Sequence, residues 1–230
     1  MSPLTREREA RTEKPRTMAL TRTQTYDRKR ILEQAARAAR RRRARRAVSL
    51  YRRVLAVEPG NPELLEKLAP LLARAGQDFD AWLAFKAAAQ ARLQQGRVDR
   101  ALAVWYDATR ALPRRIDAWL ALAELERQRG RRDAALSALL AGRRCFRGRR
   151  WRAHAIHLLR QARRLRPGDV EVALELARLL AVSGQGAEAE LLLAELARRS
   201  QGPALRRVRA AHWRIAPSLQ HTWLWLRAAV

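Results

Sequence analysis

Cysteine occurs once, at Cys145, so no internal disulfide can form and a reducing compartment suits the chain. Lysine is nearly missing. Of 49 basic residues only Lys14, Lys29, Lys67 and Lys86 are not arginine. Acidic residues number 22, which leaves a formal charge of +27 and strong self-repulsion unless an anionic partner or counterions neutralise it. Phe and Tyr are three each, against seven Trp. No apolar run approaches the ~18 residues of a membrane span. The first residues lack the roughly 7–15-residue apolar stretch of a secretory leader, so the cytoplasm is the expected location. No hydroxyl–His–acid set and no phosphate-binding glycine loop is present, and neither catalysis nor a cofactor is expected. His154 and His157 stand at i and i+3 with Cys145 nearby. A metal needs three or four ligands in shaped geometry, and no carboxylate lies between Ala134 and Gly168, so no metal site is expected.

What is present is a repeat. Gly96–Arg149, laid without a gap over Arg42–Gln95 and Arg150–Pro203, matches both at an offset of 54. Four columns of the match are Ala47/Ala101/Ala155, Leu68/Leu122/Leu176, Ala69/Ala123/Ala177 and Leu71/Leu125/Leu179. Ala81/Ala135/Ala189 is another. Ala and Leu are abundant, so these could be accidents. The columns Pro59/Pro113/Pro167 and Gly76/Gly130/Gly184 are not, because the chain has only 9 Pro and 10 Gly. A fixed period of this size means a stacked helical array.

Each repeat reads as three helices. In the first, Ala44–Val57 places Ala47, Leu50, Tyr51, Val54 and Leu55 on one face, at the spacing of an amphipathic helix. The run Glu58-Pro59-Gly60-Asn61-Pro62 ends it and starts the next, since Pro is tolerated in a first turn but not in a helix interior. Glu63–Ala75 stops at Gly76, a residue suited to a left-handed cap, and Asp78–Gln95 ends at Gly96. The second repeat gives Val98–Leu112, Ile116–Arg129 and Arg132–Arg147. The third gives Trp151–Arg166, Val170–Ser183 and Ala187–Arg199. A further helix, capped by Asp27, precedes the first repeat. The expected architecture is an all-α right-handed solenoid of antiparallel helices. It comprises a tail over residues 1–26 with no apolar period, expected to be disordered, and a repeat domain over 27–200. Two short closing helices over 201–230 would cover the last apolar face.

The columns resemble the tetratricopeptide repeat family, whose motif is W-x2-L-G-x2-Y on one helix, A-x3-F on the next, then Pro. Trp119-x2-Leu122-Ala123 supplies the first part, with Glu126 where Tyr is usual, and Gly130, Ala135 and Leu139 continue it. The second part recurs as Ala47-x3-Tyr51 to Pro59, Ala101-x3-Trp105 to Pro113 and Ala155-x3-Leu159 to Pro167. Gly96 to Gly130 spans 34 residues, the family's own period. The longer period of 54 marks three helices in place of two. The third also resembles a family first helix, as Asp80-Ala-Trp-Leu-Ala84 and Asp117-Ala-Trp-Leu-Ala121 show. The resemblance implies a non-enzymatic protein-binding scaffold. The aromatics Tyr51, Trp82, Phe85, Trp105 and Trp119 sit where such helices pack, and are expected in the core.

Charge is unevenly spread. Residues 1–61 hold 18 basic and 6 acidic side chains, and residues 143–168 hold 10 and none. Arg143, Arg144 and Arg147 close a helix, where a cation suits the dipole, and stability alone explains them. Arg42, Arg43, Arg45 and Arg46, and likewise Arg149, Arg150 and Arg152, open helices, where the dipole disfavours them. Cations gathered beside free backbone N–H groups make a candidate anion site. A solvated face of merely compositional origin is the competing explanation. An odd number of antiparallel helices per repeat reverses direction from one repeat to the next, so both clusters should start on the same edge. They would stand roughly 25–30 Å apart, at 8–10 Å per step. The expected partner is a protein or peptide with an acidic surface, and the alternative is RNA or another nucleic acid bound through the Arg clusters. The C-terminal Trp213, Trp223, Leu224, Trp225 and Leu226 with Arg214 and Arg227 suit either a capping helix or contact with a membrane surface.

Overall fold

The computed structural model describes residues 27–217 and 223–227; the tail expected over 1–26 lies outside them. Eleven helices follow one another in the described residues. They are α1 (Arg28–Arg40), α2 (Ala44–Leu55), α3 (Pro62–Arg74), α4 (Asp78–Gln94), α5 (Val98–Ala111) and α6 (Ile116–Gln128). Then come α7 (Arg132–Cys145), α8 (Arg152–Leu165), α9 (Val170–Ala181), α10 (Gly186–Arg199) and α11 (Gly202–Ile215). The boundaries within the repeats agree with those read from periodicity to within two residues. One difference matters: Arg149–Trp151 form a separate 3-10 turn before α8 rather than its first turn. The tighter turn brings the Trp151 ring onto Phe146 and His154, at centroid distances of 5.7 and 5.3 Å.

The scarce columns explain the helix ends. Gly76, Gly130 and Gly184 have φ of 77°, 75° and 80°. The following N–H bonds back to a carbonyl one turn inside, as Gln77 to Leu72, Arg131 to Glu126 and Gln185 to Leu180, at 2.9–3.0 Å. One closing motif thus recurs in every repeat. The Ala columns are the points of closest approach. Ala47, Ala81, Ala101, Ala135 and Ala189 have no exposed surface, and Ala155 has 1%. Beside them Tyr51, Trp82, Phe85 and Trp105 are buried, with Trp82 and Trp105 at 5.5 Å. One continuous apolar core runs from Ile31 to Val208.

Neighbouring helices run antiparallel, because the start of one meets the end of the next along the array. Arg28 of α1 pairs with Glu58 beyond α2. Ala44 of α2 shares a cleft with Arg74 of α3, and Glu66 of α3 pairs with Arg92 of α4. Arg115 beyond α5 lies over Trp82 of α4, and Asp99 of α5 pairs with Arg129 beyond α6. Trp119 of α6 lies against Gly142 of α7, Asp133 of α7 pairs with Arg166 beyond α8, and Arg152 of α8 bonds Val182 beyond α9. Helix α11 packs on α10 and α9 and buries Val208. The helical turn at 223–227 folds back on it, with Arg209 donating to the Leu224 carbonyl at 2.9 Å and Trp213 stacked on Trp225. None of the described helices is long and apolar enough to cross a membrane.

Candidate functional site

The antiparallel path sorts the helix ends into two edges. One collects the starts of α2, α4, α6 and α8 and the ends of α3, α5, α7 and α9. Both Arg clusters fall on it. Arg42 and Arg43 form the turn into α2, and Arg45 and Arg46 its first turn. Arg149 and Arg150 form the 3-10 turn and Arg152 opens α8. All but Arg152 are exposed. None of the seven has a carboxylate partner among the described residues, and Arg152 donates to the Val182 carbonyl at 2.8 Å.

Between the clusters the same edge carries Arg74, Arg114 and Arg115. Arg115 lies 5.3 Å over Trp82 and Arg114 6.0 Å from Trp151, which joins the loop between α5 and α6 to the start of the third repeat. The acids on this edge are few and mostly engaged. Asp80 pairs with Arg52 at 2.7 Å, Asp117 with Arg115 at 2.8 Å and Glu175 with Arg143 at 2.5 Å. Asp107 pairs with Arg110, and Asp78 opens α4.

The opposite edge holds most of the ion pairs between helices, although Arg97, Arg100 and Arg132 have no carboxylate partner there among the described residues. There Arg28–Glu58, Arg92–Glu66, Arg129–Asp99, Arg166–Asp133 and Arg207–Glu171 link one helix to another. The Arg28 hydrogen bond holds the Glu58 carboxyl below its ordinary range, and the Glu66 bond raises the already basic Arg92.

The starts of α2 and α8 differ from most others. α4, α5, α6, α7 and α10 carry an acid in the first turn, and α1, α3 and α9 have a side-chain cap. α2 and α8, like α11, have neither. The backbone at Arg42 is also unusual. Its φ is +56°, the left-handed region that Gly96 occupies one repeat later. It closes α1 as the glycines close other helices, with the Arg43 N–H bonded back to the Ala38 carbonyl at 2.9 Å, and it costs a residue that has a Cβ on the order of 1–2 kcal/mol.

Two clefts, related by twice the repeat period, flank the clusters. The first, about 370 Å³, is lined by Ala39, Arg42, Ala44, Leu71 and Arg74. The second, about 560 Å³, lies between α7, α8 and α9 and includes Arg143, Arg144, Arg147, Arg152 and Arg178. Sequence reasoning assigned Arg143, Arg144 and Arg147 to the helix dipole and passed over Arg74, Arg114 and Arg178. The signal that finds them is the direction rule applied to helix ends as well as starts.

His154 stacks on Phe146 at 5.3 Å and Cys145 donates to its own helix at the Ala141 carbonyl, 3.7 Å away. Among the described residues no three His, Cys, Asp or Glu come together.

Residues 152–211 match the family described as Tetratricopeptide repeat. From α8 into α11 the chain is thus similar to that family. No curated protein matches its sequence. Among solved structures, a tetratricopeptide repeat protein from Parabacteroides merdae is 13% identical, covering 88% of this chain and 98% of its own, at a TM-score of 0.27. MamA is 15% identical over 83% and 96%, at 0.30, and PilF from Pseudomonas aeruginosa is 15% identical over 87% and 87%, at 0.29. At these scores the helix paths do not superpose. Tetratricopeptide arrays present extended surfaces that hold other proteins. At the family's Tyr position this chain has Glu126, only 2% exposed. Tyr106, from the preceding helix, supplies the aromatic and donates its hydroxyl to Glu126 Oε1 at 3.2 Å.

Proposed function

We propose that the chain is a non-enzymatic scaffold that holds an acidic peptide or partner protein along its basic edge. The observation that supports this is the asymmetry of pairing. On one edge carboxylates of neighbouring helices pair with five guanidiniums, those of Arg28, Arg92, Arg129, Arg166 and Arg207; on the other, Arg42, Arg43, Arg45, Arg46, Arg149 and Arg150 have no such partner among the described residues. A guanidinium presents its donors as a planar fork that matches a carboxylate two bonds at a time. The two clusters then act as two stations for one partner, and Arg152, fixed to Val182, orients the second.

Nucleic acid is the competing ligand class, and the aromatic groups speak against it. Binders of single strands interleave open aromatic faces with cations. Trp151, the aromatic within the clusters, lies under Arg150 at 4.7 Å and packs on Phe146 and His154. Phe79, 63% exposed on the same edge, is flanked by Asp78 and Asp80, whose charges repel a phosphate backbone.

The test uses fluorescence anisotropy with a labelled polyglutamate peptide. Reversing Arg149, Arg150 and Arg152 to Glu should weaken binding, and adding Arg42→Glu, Arg43→Glu and Arg45→Glu should weaken it further. Raised salt should mimic both. Binding that withstands all six reversals refutes the reading and makes the Arg excess compositional.

A further inference from the structure

The second cleft encloses more positive charge than a carboxylate neutralises. Five guanidiniums from three helix ends line it, those of Arg143, Arg144, Arg147, Arg152 and Arg178, against one carboxylate, Glu175. That carboxylate is already taken by Arg143 at 2.5 Å. Arg147 is tied through Nε to the Arg144 carbonyl at 3.1 Å, and Arg152 through one terminal nitrogen to Val182. Each is therefore held in place with its other N–H groups left for a ligand. Arg143 Nε is buried and has no acceptor. Arg144 and Arg178 are exposed and have no carboxylate partner among the described residues. The floor is apolar, made by Phe146, Ala155 and Leu179.

We propose that this cleft binds a phosphate monoester carried on a side chain of the acidic partner, an inference that rests on the reading of the basic edge given above. A phosphorylated side chain brings nearly two negative charges and three strong acceptor oxygens to one point. Guanidiniums converging from separate elements match that tetrahedral set, with charge-assisted bonds about twice as strong as neutral ones. A carboxylate offers one charge and two oxygens in a plane, and leaves several of these cations uncompensated. The apolar floor suits the carbon stem that carries the phosphate, a part that inorganic phosphate lacks. The equivalent cleft beside α2 has only Arg42 and Arg74 and no acid, so it suits the ordinary carboxylates of the same partner. The two stations therefore differ in rank: the one at α8 reads the modification, and the one at α2 adds charge.

The experiment compares three short acidic peptides of one sequence, with serine, glutamate or phosphoserine at the centre, on the full chain at constant salt. The phosphoserine peptide should bind roughly tenfold more tightly than the glutamate one, and inorganic phosphate should compete away that excess. Arg147→Gln with Arg178→Gln should erase the excess while leaving melting unchanged, since both side chains are exposed. Arg100→Gln with Arg132→Gln, an equal loss of charge on the other edge, should leave it intact. Equal binding of the phosphoserine and glutamate peptides overturns this inference and leaves the basic-edge reading standing. Binding of none of the three overturns both. An excess that Arg100→Gln with Arg132→Gln removes as well as the cleft variant overturns the assignment to this cleft.

Discussion

Gly142 is the point where the packing of the second repeat can be tested most sharply. It lies inside α7 and is buried, where an alanine would ordinarily favour the helix by about 1 kcal/mol. A Cβ placed there would lie 2.7 Å from Trp119 Cγ, 2.9 Å from Cδ2 and 3.0 Å from Cβ. The Trp119 ring has little room to yield. Its Nε1 donates to the Pro113 carbonyl at 3.0 Å, and its own Cβ is among the atoms struck. Overpacking of this kind costs on the order of 1–3 kcal/mol, which outweighs the gain in helix propensity. Gly142→Ala should therefore lose up to about 2 kcal/mol, and for a chain of this size the melting temperature should fall by up to roughly 8 °C. Circular dichroism melts of Gly142→Ala, Trp119→Leu and the double variant complete the cycle. The double variant should be more stable than the sum of the two single losses allows, because the smaller Leu side chain admits the new methyl. A higher melting temperature for Gly142→Ala alone would refute the reasoning, since it would mean that Trp119 does not lie across α7.

The remaining predictions concern the repeat columns and the polar groups. Ala101→Leu should cost on the order of 1–3 kcal/mol, because Ala101 has no exposed surface at a helix junction; a denaturant melt checks it. Tyr106→Phe should cost roughly 1–3 kcal/mol, because Glu126 loses its donor in a buried place, and pairing it with Glu126→Leu should recover most of that loss. Burial, and for Tyr106 also the bond to Glu126, raise the phenol of Tyr51 and Tyr106 above the ordinary tyrosine range. The stability this gives is complete below the ordinary range and is lost as pH rises through the raised values. An ultraviolet titration should show two late-ionising tyrosines, and Tyr106→Phe should remove one. Arg42→Gly should leave stability equal or raise it by up to about 1 kcal/mol, by relieving the left-handed backbone, while weakening binding of acidic peptide. A marked loss of stability would make the Arg42 side chain structural.

Much of the fold was legible because helix ends are local chemistry. Gly76, Gly130 and Gly184 signal the same cap in each repeat, and the Pro column marks the loops that follow α2, α5 and α8. The site was legible only in part. The sequence presents Arg42–Arg46 and Arg149–Arg152 as two blocks, and counting helices brings them to one edge. It does not present Arg74, Arg114 or Arg178 as their neighbours, because each lies far from both blocks in sequence and joins the edge only through helix packing. Arg143 and Arg147 have a sufficient local explanation in the helix dipole, which conceals the cleft they share with Arg152. Glu126 in the place of a tyrosine looks like a lapse in the family motif. Its partner, Tyr106, lies on the previous helix and twenty residues away, a pairing that no periodicity reveals.

The central claim is that the basic edge holds an acidic protein, and capture from nuclease-treated lysate tests it most directly. The full chain and the variant with Arg42, Arg43, Arg45, Arg149, Arg150 and Arg152 changed to Glu would be immobilised side by side, and bound proteins identified by mass spectrometry. The account predicts a discrete set of acidic proteins on the native chain that survives nuclease treatment and is lost from the variant. Retention of the same proteins by the variant would contradict it, as would their loss from the native chain once nucleic acid is digested.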